Sequence, residues 1–225
     1  MRTNRRNLLR LASLGGTLCV SAVTSTLAAP SADSDLLGIF AKRVSVRRYK
    51  PDPVPEEHLR LILDAARHSP TSGNQQPWKF LVVTDRTKIE RLRTRCLEFY
   101  EAYWPKDLPP AERAARREAS TKTLAGYFSA PVYIVVLTDS QSTYPTYNHH
   151  DGPLAAGYLC LAARALGYGT VYVTDSIPEP ITREVLSIPA RYQRVCIMPL
   201  GVPDGWPEPP AKKKLEELIV NESFA

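Results

Sequence analysis

The sequence lacks the residue spacings that mark several common chemistries. Its four cysteines, Cys19, Cys96, Cys160 and Cys196, form no CxxC or CxxH pair and stand apart from one another. A scattered set of this kind argues against a disulfide framework and reads as buried thiols in apolar segments. The adjacent His149 and His150 precede Asp151, which reads as a solvated helix entry with an acid at its positive end rather than a shared metal site. No G-x-G-x-x-G is present, which excludes a dinucleotide-binding Rossmann unit. A phosphate-binding P-loop and a G-x-S-x-G nucleophile turn are also missing. Basic residues are not interleaved with aromatics in the manner of a nucleic-acid groove, so a nucleic-acid partner is not expected.

The N-terminus has its own logic. Arg5 and Arg6 precede an apolar stretch at 8–27, and Leu27-Ala28-Ala29 supplies the small residues that suit a signal peptidase. This layout is a targeting segment, set aside from fold reasoning. The paired arginines followed by Leu8 and Leu9 resemble a twin-arginine export signal, an address read by a receptor. Gly15, Gly16 and several hydroxyl residues make the stretch a poor membrane span, so no stable anchor is expected. The chain is thus divided into a signal peptide at 1–29 and one folded domain at 30–225, with periplasmic or otherwise exported localisation. Of the +6 net charge, Arg2, Arg5, Arg6 and Arg10 belong to the signal, which holds no acid, leaving +2 for the remainder.

Within the folded part, Pro55-Glu56-Glu57 opens a helix whose Leu59, Ile62, Leu63 and Ala66 recur at helical spacing. A short β-rich run follows at 79–84, then a second helix with Ile89, Leu92, Cys96, Phe99 and Tyr103 on one side. The polar, alanine-rich stretch at 105–120 reads as a surface helical excursion over the fold. The continuous apolar run at 132–138 fits a strand buried on both faces. A helix is expected at 151–166, with Leu154, Tyr158, Leu161, Ala162 and Ala165 facing inward and Gly167 and Gly169 ending it. Strands are expected at 170–173 and 195–200. The order implies an α+β fold of three layers, α/β/α.

Two constellations carry chemistry. Arg43, Ser45 and Arg47 alternate in Arg43-Val44-Ser45-Val46-Arg47, so an extended backbone points them to one side. Two guanidiniums and a hydroxyl there suit a phosphate. The second, Pro70-Thr71-Ser72-Gly73-Asn74-Gln75-Gln76-Pro77-Trp78, packs hydroxyls and amides into a turn that leads directly into a strand. Backbone N–H groups and amide side chains in such a loop suit a heteroaromatic ring bearing carbonyls and ring nitrogens.

In this order and spacing the two segments resemble the nitroreductase family, whose members carry R-x-S-x-R and then P-(S/T)-x-x-N-x-Q-P-W. The likeness continues through Ala130-Pro131-Val132, through Asp151 to the segment ending Ala165-Leu166-Gly167-Tyr168-Gly169-Thr170, and through Pro199-Leu200-Gly201. It implies a nitroreductase-like fold with a mixed, mostly antiparallel central sheet, an intertwined homodimer and FMN at the interface. On that resemblance, Arg43, Val44, Ser45 and Arg47 hold the FMN phosphate and ribityl chain, while Pro70, Thr71, Ser72, Asn74 and Gln76 approach the ring system from the partner. Thr174, Asp175 and Ser176 stand where family members offer a backbone N–H to the reactive flavin nitrogen. Asp175 departs from the small or apolar residue common there. Lys212 and Lys214 are candidates for a basic residue returning to the phosphate. Tyr103 and Trp104, in the excursion at 100–127, are candidates to stack on an aromatic acceptor.

The implied activity is transfer of two electrons from NADH or NADPH, through flavin, to a nitroaromatic, quinone or similar small acceptor. Export sits awkwardly with a nicotinamide donor. The alternatives are therefore a flavoprotein with another donor, performing dehalogenation or flavin fragmentation, and a flavin-binding electron relay without turnover. No catalytic side chain or metal is implied.

Overall fold

The computed structural model describes residues 34–224, and the signal expected at 1–29 lies outside the described residues. Among the described residues no helix is long and apolar enough to cross a membrane.

The apolar run between Pro131 and Asp139 forms β2 (Val132–Asp139), the strand on which the fold is built. Its side chains alternate: Tyr133, Val135 and Leu137 enter one core, and Val132, Ile134 and Val136 enter the other. Flanking it are β1 (Trp78–Val83) and β4 (Tyr192–Gly201), with β3 (Gly169–Thr170) beyond β4. The order is β1-β2-β4-β3 and every ladder is antiparallel. Parallel pairing occurs among the described residues as a single bridge between Ser45 and Thr170.

The first core is closed by α3 (Arg86–Glu101), α4 (Pro110–Tyr127) and α6 (Glu179–Leu186), through Ile89, Leu92, Leu124 and Ile181. The second is closed by α2 (Glu56–Arg67) and α5 (Asn148–Ala165), through Ile62, Ala66, Leu159 and Ala163. The three-layer arrangement expected from the sequence is the one observed. A helix not anticipated, α1 (Ser34–Lys42), precedes the arginine segment. Cys96 and Cys196 are buried and Cys160 is half-buried, all as free thiols. Burial pushes Cys96 up to about 12 and Cys160 up to about 11, so both are protonated at neutral pH.

Two elements differ from the expectation for physical reasons. The strand expected at 170–173 is a two-residue ladder followed by an isolated Val173–Ile197 bridge. Continuing the register would place Val171 opposite Pro199, which has no N–H to give. In α5 the inward face is Gly152, Ala155, Ala156, Leu159 and Ala163, whereas Leu154, Tyr158 and Leu166 are exposed. Here closeness wins over size. A β-bulge between Val136 and Leu137 sets Val195 against the helix, and a Cβ on Gly152 would lie 2.4 Å from Val195 Cγ2. Around Gly152 only small residues fit between helix and sheet, so Leu154 and Tyr158 turn outward, and Leu159 is the large side chain that α5 buries.

Candidate functional site

Residues 43–47 lie along β3. Ser45 bridges Thr170, and the Val46 N–H donates to the Thr170 carbonyl at 3.0 Å. Val44 and Val46 are buried, while Arg43, Ser45 and Arg47 point away from the core. Gly169 makes this possible, because a Cβ there would meet all three side-chain carbons of Val46 within 2.8 Å. With Val44 buried, its main chain is what remains to offer a ligand. Ser45 and Arg47 line a cleft of about 400 Å3 with Arg48, Asp204 and Trp206, and Arg43 lies outside that lining. Arg43 and Arg47 make no ion pair among the described residues, although most neighbouring arginines on the helices do. Arg47 Nε donates to the Tyr127 hydroxyl at 3.2 Å.

The loop before β1 is held from below by α5. Asp151, buried in the first turn of that helix, accepts from the Ser72 N–H at 3.1 Å and from Gln75 Nε2 at 2.6 Å. Gln75 Oε1 in turn accepts from the Tyr144 N–H at 2.7 Å, and Asn148 Nδ2 donates to the Asp139 carbonyl at 2.8 Å. With its hydrogen-bonding groups spent on this scaffold, the backbone takes up a left-handed conformation at Gly73, Asn74 and Gln76. Gly73 is required twice over, by its φ of 56° and by Tyr144, whose ring would sit 2.6 Å from an added Cβ. Pro70, Asn74 and Gln76 are left exposed, with Thr71 and Ser72 half-buried.

Thr174 and Asp175 are exposed and Ser176 is half-buried on the loop between β3 and α6. Arg194 clamps this loop from β4, donating to the carbonyls of Thr174 and Ile177 and to Thr182 Oγ1. Tyr100 completes the anchorage by donating to the Asp175 carbonyl at 2.9 Å. Ser176 opens onto a cavity of about 360 Å3 between α3 and α4, lined also by Tyr100, Ser120, Thr123, Leu124 and Tyr127. Tyr103 and Trp104 are not part of this lining; Tyr103 is 75% exposed and packs on Phe99, centroid to centroid at 5.1 Å. The aromatic residues that face the cavity come one helical turn earlier, at Tyr100, and from the far end of α4, at Tyr127. Lys212 and Lys214 lie in an exposed C-terminal segment and make no hydrogen bond or ion pair through their side chains among the described residues.

These pieces fall into two groups. Ser45 opposite Thr170 and the loop at 174–176 share the β3 edge of the sheet, separated along one stretch of extended chain. The loop at 70–76 lies at the β1 edge and at the other end of the strands, next to Thr138 rather than Val132. Three strand spacings of ~4.8 Å and six residues of ~3.4 Å place Ser45 and the 70–76 loop at diagonal corners, on the order of 20 Å or more apart. The loop at 174–176, beyond Val173 opposite Ile197, instead runs toward the strand end that the 70–76 loop occupies. The donor set suits FMN: guanidiniums without ion pairs and a hydroxyl for a phosphate, and the exposed amide side chains of Asn74 and Gln76 for the ring. Each group also contains a buried hydroxyl without a partner among the described residues, Thr170 Oγ1 in one and Ser69 Oγ in the other.

Sequence reading named candidate contact residues and did not single out the residues that hold their loops: Asp151, Gln75, Asn148 and Arg194. An acid in a first helical turn beside an amide-rich loop was the available signal for the first three, and it has a simpler explanation as a helix-dipole partner. Replacing Asp151 by Ala should lower stability by about 1–3 kcal/mol, because Gln75 Nε2 and the Ser72 N–H lose a charged acceptor. Urea unfolding followed by far-ultraviolet circular dichroism checks this, and an unchanged midpoint would show that the loop stands without Asp151.

Comparison with known proteins agrees with this geometry. The profile of the nitroreductase family matches residues 40–202. The chain is 29% identical over 197 residues to a Thermus thermophilus NADH dehydrogenase, covering 80% of this chain and 92% of that protein. It is 31% identical over 193 residues to the 5,6-dimethylbenzimidazole synthase of Rhodospirillum rubrum, covering 80% and 87%. Among solved structures, oxidised iodotyrosine deiodinase bound to FMN and 3-iodo-L-tyrosine superposes with a TM-score of 0.68 at 26% identity, covering 84% of this chain and all of the other. With a matched profile across most of its length and the same three-layer fold, this chain belongs to the nitroreductase family.

Proposed function

We propose that this chain is an exported, homodimeric, FMN-dependent oxidoreductase that passes two electrons from NADH or NADPH to a nitroaromatic, quinone or similar small acceptor. The observation that carries the reading is the arrangement of unpaired Arg43 and Arg47 with Ser45 on the same sheet edge as the clamped loop at 174–176. FMN, when bound, supplies the hydride chemistry. The protein's part is positional. Arg43, Ser45 and Arg47 neutralise and orient the phosphate, and the 174–176 backbone, fixed by Arg194 and Tyr100, presents its N–H groups toward the ring. Asp175 brings a carboxylate to this loop, which disfavours negative charge on the reduced ring and lowers the tendency to accept electrons; the half-buried Arg194 guanidinium behind it works in the opposite direction.

Dimerisation follows from the separation of the two groups. A loop on the order of 20 Å from the arginine segment in its own chain reaches a common ligand when a second copy brings its own loop to that place. The apolar surface of the single chain supports the same arrangement. Leu36, Leu37 and Phe40 on α1 are exposed, as are Leu154 and Tyr158 on α5 and Leu215, Leu218, Ile219 and Val220 in the C-terminal segment. A broad cleft of about 970 Å3 along the free edge of β1, lined by Leu61, Leu63, Trp78 and Phe80 and rimmed by the ion pairs Arg60–Glu56 and Arg67–Asp64, suits an apolar segment of this kind from a partner.

The paired arginines at the N-terminus favour a variant of this reading in which an exported enzyme draws electrons from a donor other than a nicotinamide. Replacing Arg5 and Arg6 by Lys together should then retain the protein in the cytoplasm, as fractionation would show; unchanged export would remove the twin-arginine route. Arg43→Ala combined with Arg47→Ala should give a folded but colourless protein, with FMN affinity down by roughly a hundredfold or more. Full flavin occupancy in that variant would contradict the assignment of the phosphate site. Deleting residues 208–224 should shift sedimentation velocity from dimer toward monomer, and an unaltered dimer would place the interface elsewhere.

A further inference from the structure

The cavity beside Ser176 has a chemical character that neither the family nor the named relatives decide. Its walls are hydroxyls, aromatic rings and aliphatic carbon: Tyr100, Ser120, Thr123, Leu124, Tyr127 and Ser176. None of the residues lining it carries a formal charge. The carboxylates nearest in sequence are engaged or turned away. Glu101 pairs with Arg117 at the back of α3, and Asp175 is exposed and meets Tyr100 through its carbonyl.

The hydroxyls differ in what they have left to offer. Tyr100 spends its proton on the Asp175 carbonyl, and Thr123 spends its own on the Ala119 carbonyl at 3.0 Å, so each presents oxygen lone pairs. Tyr127 is the reverse. Its oxygen accepts from Arg47 Nε, and its proton has no acceptor among the described residues. A hydroxyl that accepts from a cation is polarised into a better donor. The lining of this cavity of about 360 Å3 therefore combines one strong donor with two acceptors and the aliphatic carbon of Leu124.

We infer that this cavity is the acceptor subsite, that it takes an uncharged single-ring compound bearing a carbonyl and a hydroxyl, and that Tyr127 is the specificity residue that donates to the carbonyl. The inference rests on the FMN reading, because it is Ser176 that joins the cavity to the flavin-facing loop. It also separates this chain from an amino-acid site. A molecule such as 3-iodo-L-tyrosine, held by one solved relative, brings an ammonium and a carboxylate; no lining residue is charged, and Arg47, which reaches the Tyr127 hydroxyl, is assigned to the flavin phosphate. Burying either without compensation opposes binding. A neutral ring with two oxygen groups meets no such penalty and fills the donor and acceptor positions.

The test is a titration of the flavin-loaded protein, reading perturbation of the visible flavin band and not turnover. The probes are 4-hydroxybenzaldehyde, at a pH where its phenol is protonated, and 3-iodo-L-tyrosine. The aldehyde should bind saturably, and 3-iodo-L-tyrosine should leave the band unchanged over the same concentrations. Tyr127→Phe should weaken aldehyde binding about tenfold. Thr123→Trp, at an exposed position on α4, fills the cavity and should abolish aldehyde binding while flavin stays bound, which keeps the test decisive if Tyr127→Phe proves unstable. Equal binding of the two probes, or unchanged aldehyde affinity in both variants with flavin retained, would overturn the inference and leave the FMN reading intact. A protein that takes up no flavin would overturn that reading and the inference with it.

Discussion

Everything in this chain hangs on β2 being buried on both faces. A strand with Tyr133, Val135 and Leu137 in one core and Val132, Ile134 and Val136 in the other cannot slip by one residue without exchanging the two sets. The antiparallel ladders then fix where each edge of the sheet ends. The arginine segment is tied to one edge by the Val46–Thr170 hydrogen bond, and the polar loop is tied to the other by its continuity with β1. Both groups are thus held by a rigid sheet at corners too distant to close on one ligand within a single chain. On the proposed reading, a second copy would bring its 70–76 loop to the arginine segment.

The same constraint explains α5. Seated so close to the sheet that Gly152 has no room for a Cβ, the helix buries its small side and turns Leu154 and Tyr158 outward. A helix that is apolar on both sides has two surfaces to cover. Its first turn supplies Asp151 to the loop at 70–76, so helix packing, loop shape and the outward apolar face are settled together by one close approach. On the opposite edge, Arg194 does comparable work for the loop at 174–177: the β-bulge at Val195 lies next to it, and its guanidinium spends its protons on main-chain carbonyls.

Much of this was legible in the sequence because it depended on periodicity. Helix α2, the buried strand β2 and the three-layer order came from apolar spacing, and the alternation of Arg43, Ser45 and Arg47 against Val44 and Val46 came from the two-residue repeat of extended chain. What was not legible depended on distances between remote segments. The inner face of α5 differs from the expected one because the close approach at Gly152 turns the helix so that Ala155, Ala156, Leu159 and Ala163 face inward and Leu154, Tyr158 and Ala165 are exposed. The expected strand runs past Thr170 because Pro199, which Val171 would face, is remote in sequence, and the missing N–H belongs to that proline. Tyr103 and Trp104 lie in the same excursion, but it is Tyr100 from α3 and Tyr127 from α4 that line the cavity beside Ser176.

The central claim is that this chain holds FMN and exchanges electrons through it. The direct measurement is the visible absorption spectrum of the purified protein under argon, before and after addition of NADH or NADPH. The account predicts an oxidised flavin spectrum that bleaches on addition of a nicotinamide; one that persists would retain the cofactor and replace the donor. Absence of any flavin spectrum, even after reconstitution with FMN, would contradict the account.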